Sequence, residues 1–259
     1  MKVTLIGAGN LATSLALALK EAKCIIPQIY SRTTESAETL ARLVNSEPIN
    51  HFSMLSDDAD VYIISIKDIA LEEVIPEVCK NRDDKVFLHT AGTMSLNCFE
   101  GWTTHYGVFY PMQTFSRERR VKFKEIPVFL EYSDDIARKR VDELARKLTN
   151  KVYYLSSEDR KYLHLSAVWA CNFVNHCYDI ASDILSAHDI PFSVLLPLID
   201  ETARKVHSLT PREAQTGPAV RFDENVIEKQ VKLMNENAME AQLYQLLSES
   251  IHEKHKKEK

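Results

Sequence analysis

The sequence predicts an α/β fold in which a mostly parallel sheet is followed by an all-α region, and three observations lead there. Over residues 1–155 short apolar runs alternate with amphipathic stretches, the pattern of strands joined by helical crossovers. Beyond residue 155 the strand pattern stops and only helical periodicity continues. The 259 residues, 45% hydrophobic and 27% charged, are enough for two ordinary domains, in a composition typical of soluble globular proteins and unlike that of disordered or fibrous ones. The expected division is 1–155 and 156–259.

Runs at 3–6, 25–30, 61–66 and 86–89 are apolar enough to be strands buried on both faces. Leu11, Ala12, Leu15, Ala16 and Leu19 recur at helical spacing after the first, and Ala37, Leu40, Ala41 and Val44 after the second. Further strands are expected at 106–110, 128–131 and 152–155, with a charged helix over 134–148. Ser156-Ser157-Glu158-Asp159 offers a hydroxyl cap and first-turn acids that meet the positive end of a helix dipole. The helix they open is expected to run to His188, about 30 residues and ~45 Å long, before Asp189-Ile190-Pro191 stops it. Helical patterns resume over 192–208 and 223–250 around a turn with Thr210-Pro211 and Gly217-Pro218, and the charged tail 252–259 is expected to fray.

Thirty-two basic against 37 acidic residues give a formal charge of -5, which offers no electrostatic case for nucleic acid or an anionic membrane as partner. The five cysteines, Cys24, Cys79, Cys98, Cys171 and Cys177, are odd in number and unpaired in spacing, which points to a reducing cytoplasm. The stretch 3–19 has the basic start and apolar run of a signal peptide, but Gly7-Ala8-Gly9-Asn10 splits it. The stretch 162–178 contains His164, Asn172, Asn175 and His176 and falls short of the roughly 20 apolar residues of a membrane span. Neither is expected to enter a membrane.

Two of the chain's six glycines, Gly7 and Gly9, lie between the first strand and the first helix. Gly7-Ala8-Gly9-Asn10-Leu11-Ala12 is a G-x-G-x-x-A dinucleotide fingerprint of the Rossmann type. Its first glycine makes the turn, its second admits a pyrophosphate, and Ala12 allows close helix packing. Amides at the helix start, including those of Asn10 and Leu11, then face the phosphates. An NAD site ordinarily places a carboxylate at the end of the second strand. Here the chain reads Tyr30-Ser31-Arg32-Thr33-Thr34, with no carboxylate before Glu35. Arg32, with the hydroxyls of Ser31 and Thr33, suits a ribose 2'-phosphate, so the expected cofactor is NADP; the other reading of Arg32 is a solvated arginine at a helix start.

Ligands in open α/β sheets sit beyond the carboxyl ends of the strands, which makes Ser65, Lys67 and Asp68, and His89, Thr90, Ala91 and Gly92, candidates for the nicotinamide side. His89 has a second reading, a hydrogen-bonded histidine of the core. In the long helix, at 100° per residue, His164, Val168, Cys171 and Asn175 share a face, with Asn172 near them. Those polar groups either pair with one another and neighbouring helices or face a cleft, since burial without partners costs about 1 to 3 kcal/mol each. His164, Cys171, His176 and Cys177 have zinc-ligand types, but Cys177 falls on the opposite side of the helix, and no metal is expected.

These motifs together make the chain resemble, over nearly its full length, the Rossmann-like NADP oxidoreductases whose C-terminal helical domain is of unknown function, relatives of pyrroline-5-carboxylate reductase and of deazaflavin-dependent NADP oxidoreductase. The resemblance rests on Gly7-Ala8-Gly9-Asn10, Ser31-Arg32, His89-Thr90-Ala91-Gly92, Tyr110-Pro111-Met112-Gln113-Thr114-Phe115, the stretch 164–173, and Thr216-Gly217-Pro218-Ala219-Val220-Arg221. The chain departs from the family pattern at Phe222, where glycine is usual, at Gln230, where histidine is frequent, and at Cys171, where serine is common. The resemblance implies an N-terminal Rossmann-type domain and an all-α C-terminal domain of the 6-phosphogluconate-dehydrogenase-like kind, with a small-molecule substrate held in a cleft between them.

The expected activity is hydride transfer between NADPH and a small C=O or C=N substrate. His164 would be the proton donor or a substrate ligand, since imidazole titrates near neutrality, with Asn172 orienting the substrate and His89 or Thr90 completing the site. By analogy, related hydroxy-acid dehydrogenases draw polar catalytic groups from the long interdomain helix. A helix of that length exposes more apolar surface than its own domain covers, so a homodimer through the helical domain is expected. The alternative from another class is an NADP-binding sensor or assembly protein without turnover.

Overall fold

The computed structural model describes residues 1–234 and 237–256. Positions 235–236 of the expected 223–250 helix and 257–259 of the expected frayed tail lie outside them. The chain divides into two compact units, Met1–Cys171 and Asn172–Lys259.

The first unit is built on one eight-stranded sheet of order β3-β2-β1-β4-β5-β6-β7-β8. Its strands are β1 (Val3–Ile6), β2 (Gln28–Tyr30), β3 (Glu47–Ile49), β4 (Val61–Ile64), β5 (Val86–His89), β6 (Tyr106–Pro111), β7 (Val128–Tyr132) and β8 (Val152–Tyr154). Neighbours from β3 to β6 pair in parallel; β7 runs antiparallel to β6, and β8 parallel to β7. The expected parallel sheet is therefore present, with its two last strands reversed.

Both faces of the central strands are covered, which is why they read as unbroken apolar runs. On one face α1 (Asn10–Glu21), α2 (Thr34–Val44) and α4 (Asp135–Leu148) bury Leu15, Leu19, Leu40, Val44, Val141 and Leu144 against Val3, Leu5, Val61 and Leu88. On the other, α3 (Leu71–Cys79) brings Leu71, Ile75 and Val78 to Tyr62, Phe87 and Phe99. Asp134 starts α4 by accepting the amides of Ile136 and Ala137 at 2.7 and 2.9 Å. Two elements that build the sheet and its helical cover are absent from the sequence reading, and each contains a proline. Pro48 is tolerated in β3 because that strand is the sheet edge, and Pro76 lies inside α3. Pro27 likewise shortens the expected 25–30 strand to Gln28–Tyr30, leaving Ile25 in a single bridge with Lys2.

Strands end at Tyr154, and helices follow from Ser157, where the sequence places that change. The expected long helix is three pieces: α5 (Ser157–Ala167), a π-helical stretch over Val168–Phe173, and α6 (Val174–Ser186). The π stretch turns fewer degrees per residue than an α-helix, so the face grouping of His164, Val168, Cys171 and Asn175 is corrected from Val168 onward. In the second unit, α6 is followed by a 3-10 turn at Phe192–Leu195, then α7 (Leu196–Lys205), α8 (Pro218–Arg221), α9 (Glu224–Leu233) and α10 (Ala238–Lys256). The expected 223–250 helix is thus two, and the tail is helical through Lys256 with His255 Nδ1 2.9 Å from the Ile251 carbonyl oxygen. No helix among the described residues is long and apolar enough to cross a membrane.

A buried ion pair ties α5 to the sheet. Arg160, 1% exposed, donates through Nη1 to Glu131 of β7 at 2.7 Å and through Nη2 to Ser157 Oγ and the Met94 carbonyl oxygen. Ser157 donates from its amide and hydroxyl to the same carboxylate at 2.9 and 2.6 Å, and its hydroxyl oxygen accepts the Leu96 amide at 2.8 Å. Removing Glu131 strands the guanidinium in the core. Glu131→Ala is therefore expected to cost about 3 to 5 kcal/mol, read as a shift of the urea midpoint, whereas Glu158→Ala, an exposed partner of Lys161, should move it by less than about 1 kcal/mol.

Candidate functional site

In the parallel part of the sheet the strand order reverses between β1 and β4, and the chain leaves their carboxyl ends in opposite directions, opening a crevice. A cleft of about 670 Å³ lies there. It is lined by Gly7, Ala8, Gly9, Asn10 and Leu11 after β1, Ser31 and Arg32 after β2, and Ser65, Lys67 and Asp68 after β4. Thr90 and Gly92 after β5, Tyr110 and Gln113 of the β6 end, and His164 of α5 complete the wall.

The two glycines of the first turn act differently. Gly7 has φ +124°, and a Cβ there would lie 2.1 Å from the Ser65 carbonyl oxygen, so both its backbone angle and the close approach of β4 require glycine. Gly9 has ordinary φ of -78°, and a Cβ on it would meet nothing within 4 Å. Neither conformation nor packing calls for glycine at 9; what its missing side chain leaves is open space above the start of α1. That helix has no side-chain cap and no acid in its first turn, so its leading amides are available to an anion, as a pyrophosphate requires. The residues fit a dinucleotide.

Arg32 is exposed at the end of β2 and forms no ion pair among the described residues. His164 is at the other end of the cleft. Its Nδ1 is 2.9 Å from Tyr110 Oη, and the ring packs so closely on the 92 position that a Cβ there would stand 2.4 Å from Nδ1. From β2 to β6 is four strand spacings, roughly 19 Å, a distance an extended dinucleotide spans.

Of the residues expected at the site, Gly7, Gly9, Asn10, Leu11, Ser31, Arg32, Ser65, Thr90 and His164 line this one cleft. Thr33 does not; it precedes α2, 3.5 Å from Ser31 through their hydroxyls. The side-chain amide of Asn10 donates to the Phe115 carbonyl oxygen at 3.0 Å. Asn172 belongs to the second unit and is exposed there. His89 is 0% exposed, stacks on Phe99 with ring centroids 5.8 Å apart, and accepts the Ala91 amide at Nδ1. It forms no part of the cleft wall, and its second reading, a core histidine, describes its place.

Residues 2–91 match the family described as NADP oxidoreductase, coenzyme F420-dependent, and residues 126–251 match the domain of unknown function DUF2520. A Bacteroides fragilis protein described as a "putative NADP oxidoreductase" is 49% identical, with 97% of this chain and 98% of that one covered and a TM-score of 0.94. This chain belongs to the same NADP oxidoreductase family. A Thermotoga maritima protein of known structure is 22% identical to this family member, with a TM-score of 0.80 over 97% and 98% of the two chains. An imine reductase from Myxococcus stipitatus, in complex with NADP+, shares the fold at 14% identity, with a TM-score of 0.68 over 98% and 93%. No protein of curated function matches the chain.

Sequence reading missed Tyr110 and Gly92 as partners of His164. Both stand in motifs that it noted, but nothing in their spacing shows that α5 returns to the ends of β5 and β6. Nor does the sequence show what holds His89 neutral: burial drives its pKa down to about 3, the Arg160 charge adds to the fall, and the Ser95 carbonyl opposes it. The unfolded chain takes up a proton at this histidine near its ordinary 6.5, so between the two values the unfolded state binds more protons and stability falls as pH drops. That loss amounts to about 1.4 kcal/mol per unit. Between pH 7 and pH 5 the melting temperature of the native chain should therefore fall further than that of His89→Asn, and parallel curves would count against it.

Proposed function

We propose that the chain transfers a hydride between NADPH and a small molecule bearing a C=O or C=N group. The observation that carries this reading is that one cleft holds both an unpaired arginine at the ribose end and a histidine at the other, either side of an uncapped helix start. Arg32 would hold the 2'-phosphate by charge-assisted bonds, and the amides of Asn10 and Leu11 the pyrophosphate. When bound, the nucleotide supplies a hydride; the protein supplies orientation and a proton. His164 would hold that proton beside the substrate atom, with Thr90 and Gln113 able to bond neighbouring polar groups. Asn172 keeps its expected substrate-orienting role within this proposal. The imine reductase likeness supports the substrate class through shared fold alone. The family description names coenzyme F420, and Arg32 is what favours a 2'-phosphorylated nucleotide as one partner in the reaction.

Calorimetric titration tests the cofactor first: NADPH should bind more tightly than NADH, and Arg32→Ala should remove on the order of ten- to a hundred-fold of that preference, the worth of one charged contact. On the same preparations, NADPH oxidation screened against imines, ketones and keto acids should reveal turnover that His164→Ala lowers at least tenfold, within the range of a positioned acid, at nearly unchanged NADPH affinity. Equal affinity for the two nucleotides would overturn the cofactor. Tight binding without turnover of any class would favour a nucleotide sensor.

A homodimer through the helical unit is part of this proposal. Neither α6 nor α7 contains a buried residue, and Ile184, Val194, Leu196, Leu198 and Val206 are all more than two-fifths exposed, an apolar surface that a closed twofold contact would cover. Light scattering should return twice the mass of the chain, and a monomer at micromolar concentration would refute it. The five cysteines are free thiols, in keeping with the reducing cytoplasm proposed as its compartment.

A further inference from the structure

Within the cleft one hydrogen bond constrains which way a proton can move. Tyr110 is 7% exposed, and its hydroxyl has one hydrogen-bond partner among the described residues, Nδ1 of His164 at 2.9 Å. A buried phenol O–H needs an acceptor. Burial pushes ionisation of this phenol up, Arg160 opposes it and Asp68 adds to it, so the hydroxyl keeps its hydrogen, and Nδ1 is the acceptor within reach. A neutral imidazole accepts at one nitrogen and donates at the other; with Nδ1 accepting, the ring hydrogen is on Nε2. That atom has no hydrogen-bond partner among the described residues and is not among the sealed, unpaired polar atoms of the interior, and His164 is part of the cleft wall.

We propose that Tyr110 is a positioning residue that keeps His164 a hydrogen-bond donor at Nε2 whether the ring is neutral or charged. In the neutral ring the phenol donates to Nδ1; in the imidazolium Nδ1–H donates and the phenol oxygen accepts, which a hydroxyl allows and a carboxylate or carbonyl would not. Gly92 completes the device, because any larger residue there would push the ring off its seat. The consequence bears on the substrate, and rests on the oxidoreductase reading above. An Nε2–H meets an acceptor, such as a carbonyl oxygen or imine nitrogen. A ring that gave up its Nε2 proton from the imidazolium would be left with its hydrogen on Nδ1, donated to the phenol oxygen, and would return to the Nε2–H form by exchange with solvent.

Nitrogen-15 NMR of the imidazoles in the full-length chain, across the titration of His164, tests this without nucleotide or substrate. The His164 signals are assigned by their loss in His164→Gln. In the neutral native chain Nδ1 should be the bare, hydrogen-bonded nitrogen and Nε2 the protonated one. Tyr110→Phe should remove the hydrogen-bond shift at Nδ1 and let the two nitrogens average toward each other. A neutral native ring with its hydrogen on Nδ1, or shifts unchanged in Tyr110→Phe, would overturn the proposal. The native measurement decides by itself if the variant fails to fold. Failure of the oxidoreductase reading shows separately, as native protein that binds neither NADPH nor NADH in the calorimeter.

Discussion

The position of His164 depends on the pair formed four residues earlier on the same helix face by Arg160 and Glu131. A guanidinium with 1% exposure has few places to go: it needs a carboxylate and further acceptors, and in this chain β7, the Met94 carbonyl and Ser157 supply them together. Such a pair adds little net stability, since desolvation offsets much of its attraction. Its bonds are directional, however, and they join α5 to a strand and to the loop after β5 at once. One turn further along, residue 164 shares the face of residue 160, and that face meets Gly92 and Tyr110. Burial holds His89 neutral and the same charge adds to the effect, so one arginine bears on both histidines near the β5 end.

Two glycines allow backbone and ring to approach where a methyl group would not fit. Gly7 lets the first turn pass the end of β4, and Gly92 lets α5 bring an imidazole onto the end of β5. Gly9 differs from both: nothing in the protein needs its side chain to be absent. The three together describe a cleft whose walls are set by contact and whose mouth is kept clear.

Much of this was legible in the sequence because its signals are local. A buried parallel strand is a run of apolar residues, and a glycine-rich turn between strand and helix is read from six adjacent positions. The elements that escaped were those where a local rule and the tertiary setting disagree. Pro48 argues against a strand, yet the sheet edge accepts it; Pro76 argues against a helix, yet α3 packs Ile75 and Val78 into the core. The π stretch at Val168–Phe173 shifts every later face of a helix whose sequence gives no sign of the change. Residue type alone left His89 a candidate to complete the site beside His164.

The pattern of residues 1–155 determined most of the strands and crossovers, and the residues at 7–12 and 30–32 determined a dinucleotide fingerprint without a ribose carboxylate, because each depends on neighbours within a few positions. Tertiary structure decided which polar groups share a space. Whether a histidine is an acid or a core residue depends on burial and on a charge from another element, and His164 gains its partner from 54 residues away. Periodicity shows which face of a helix is polar; only the folded chain shows what stands opposite it, and that opposing group, Tyr110, is what gives His164 a direction in which to donate.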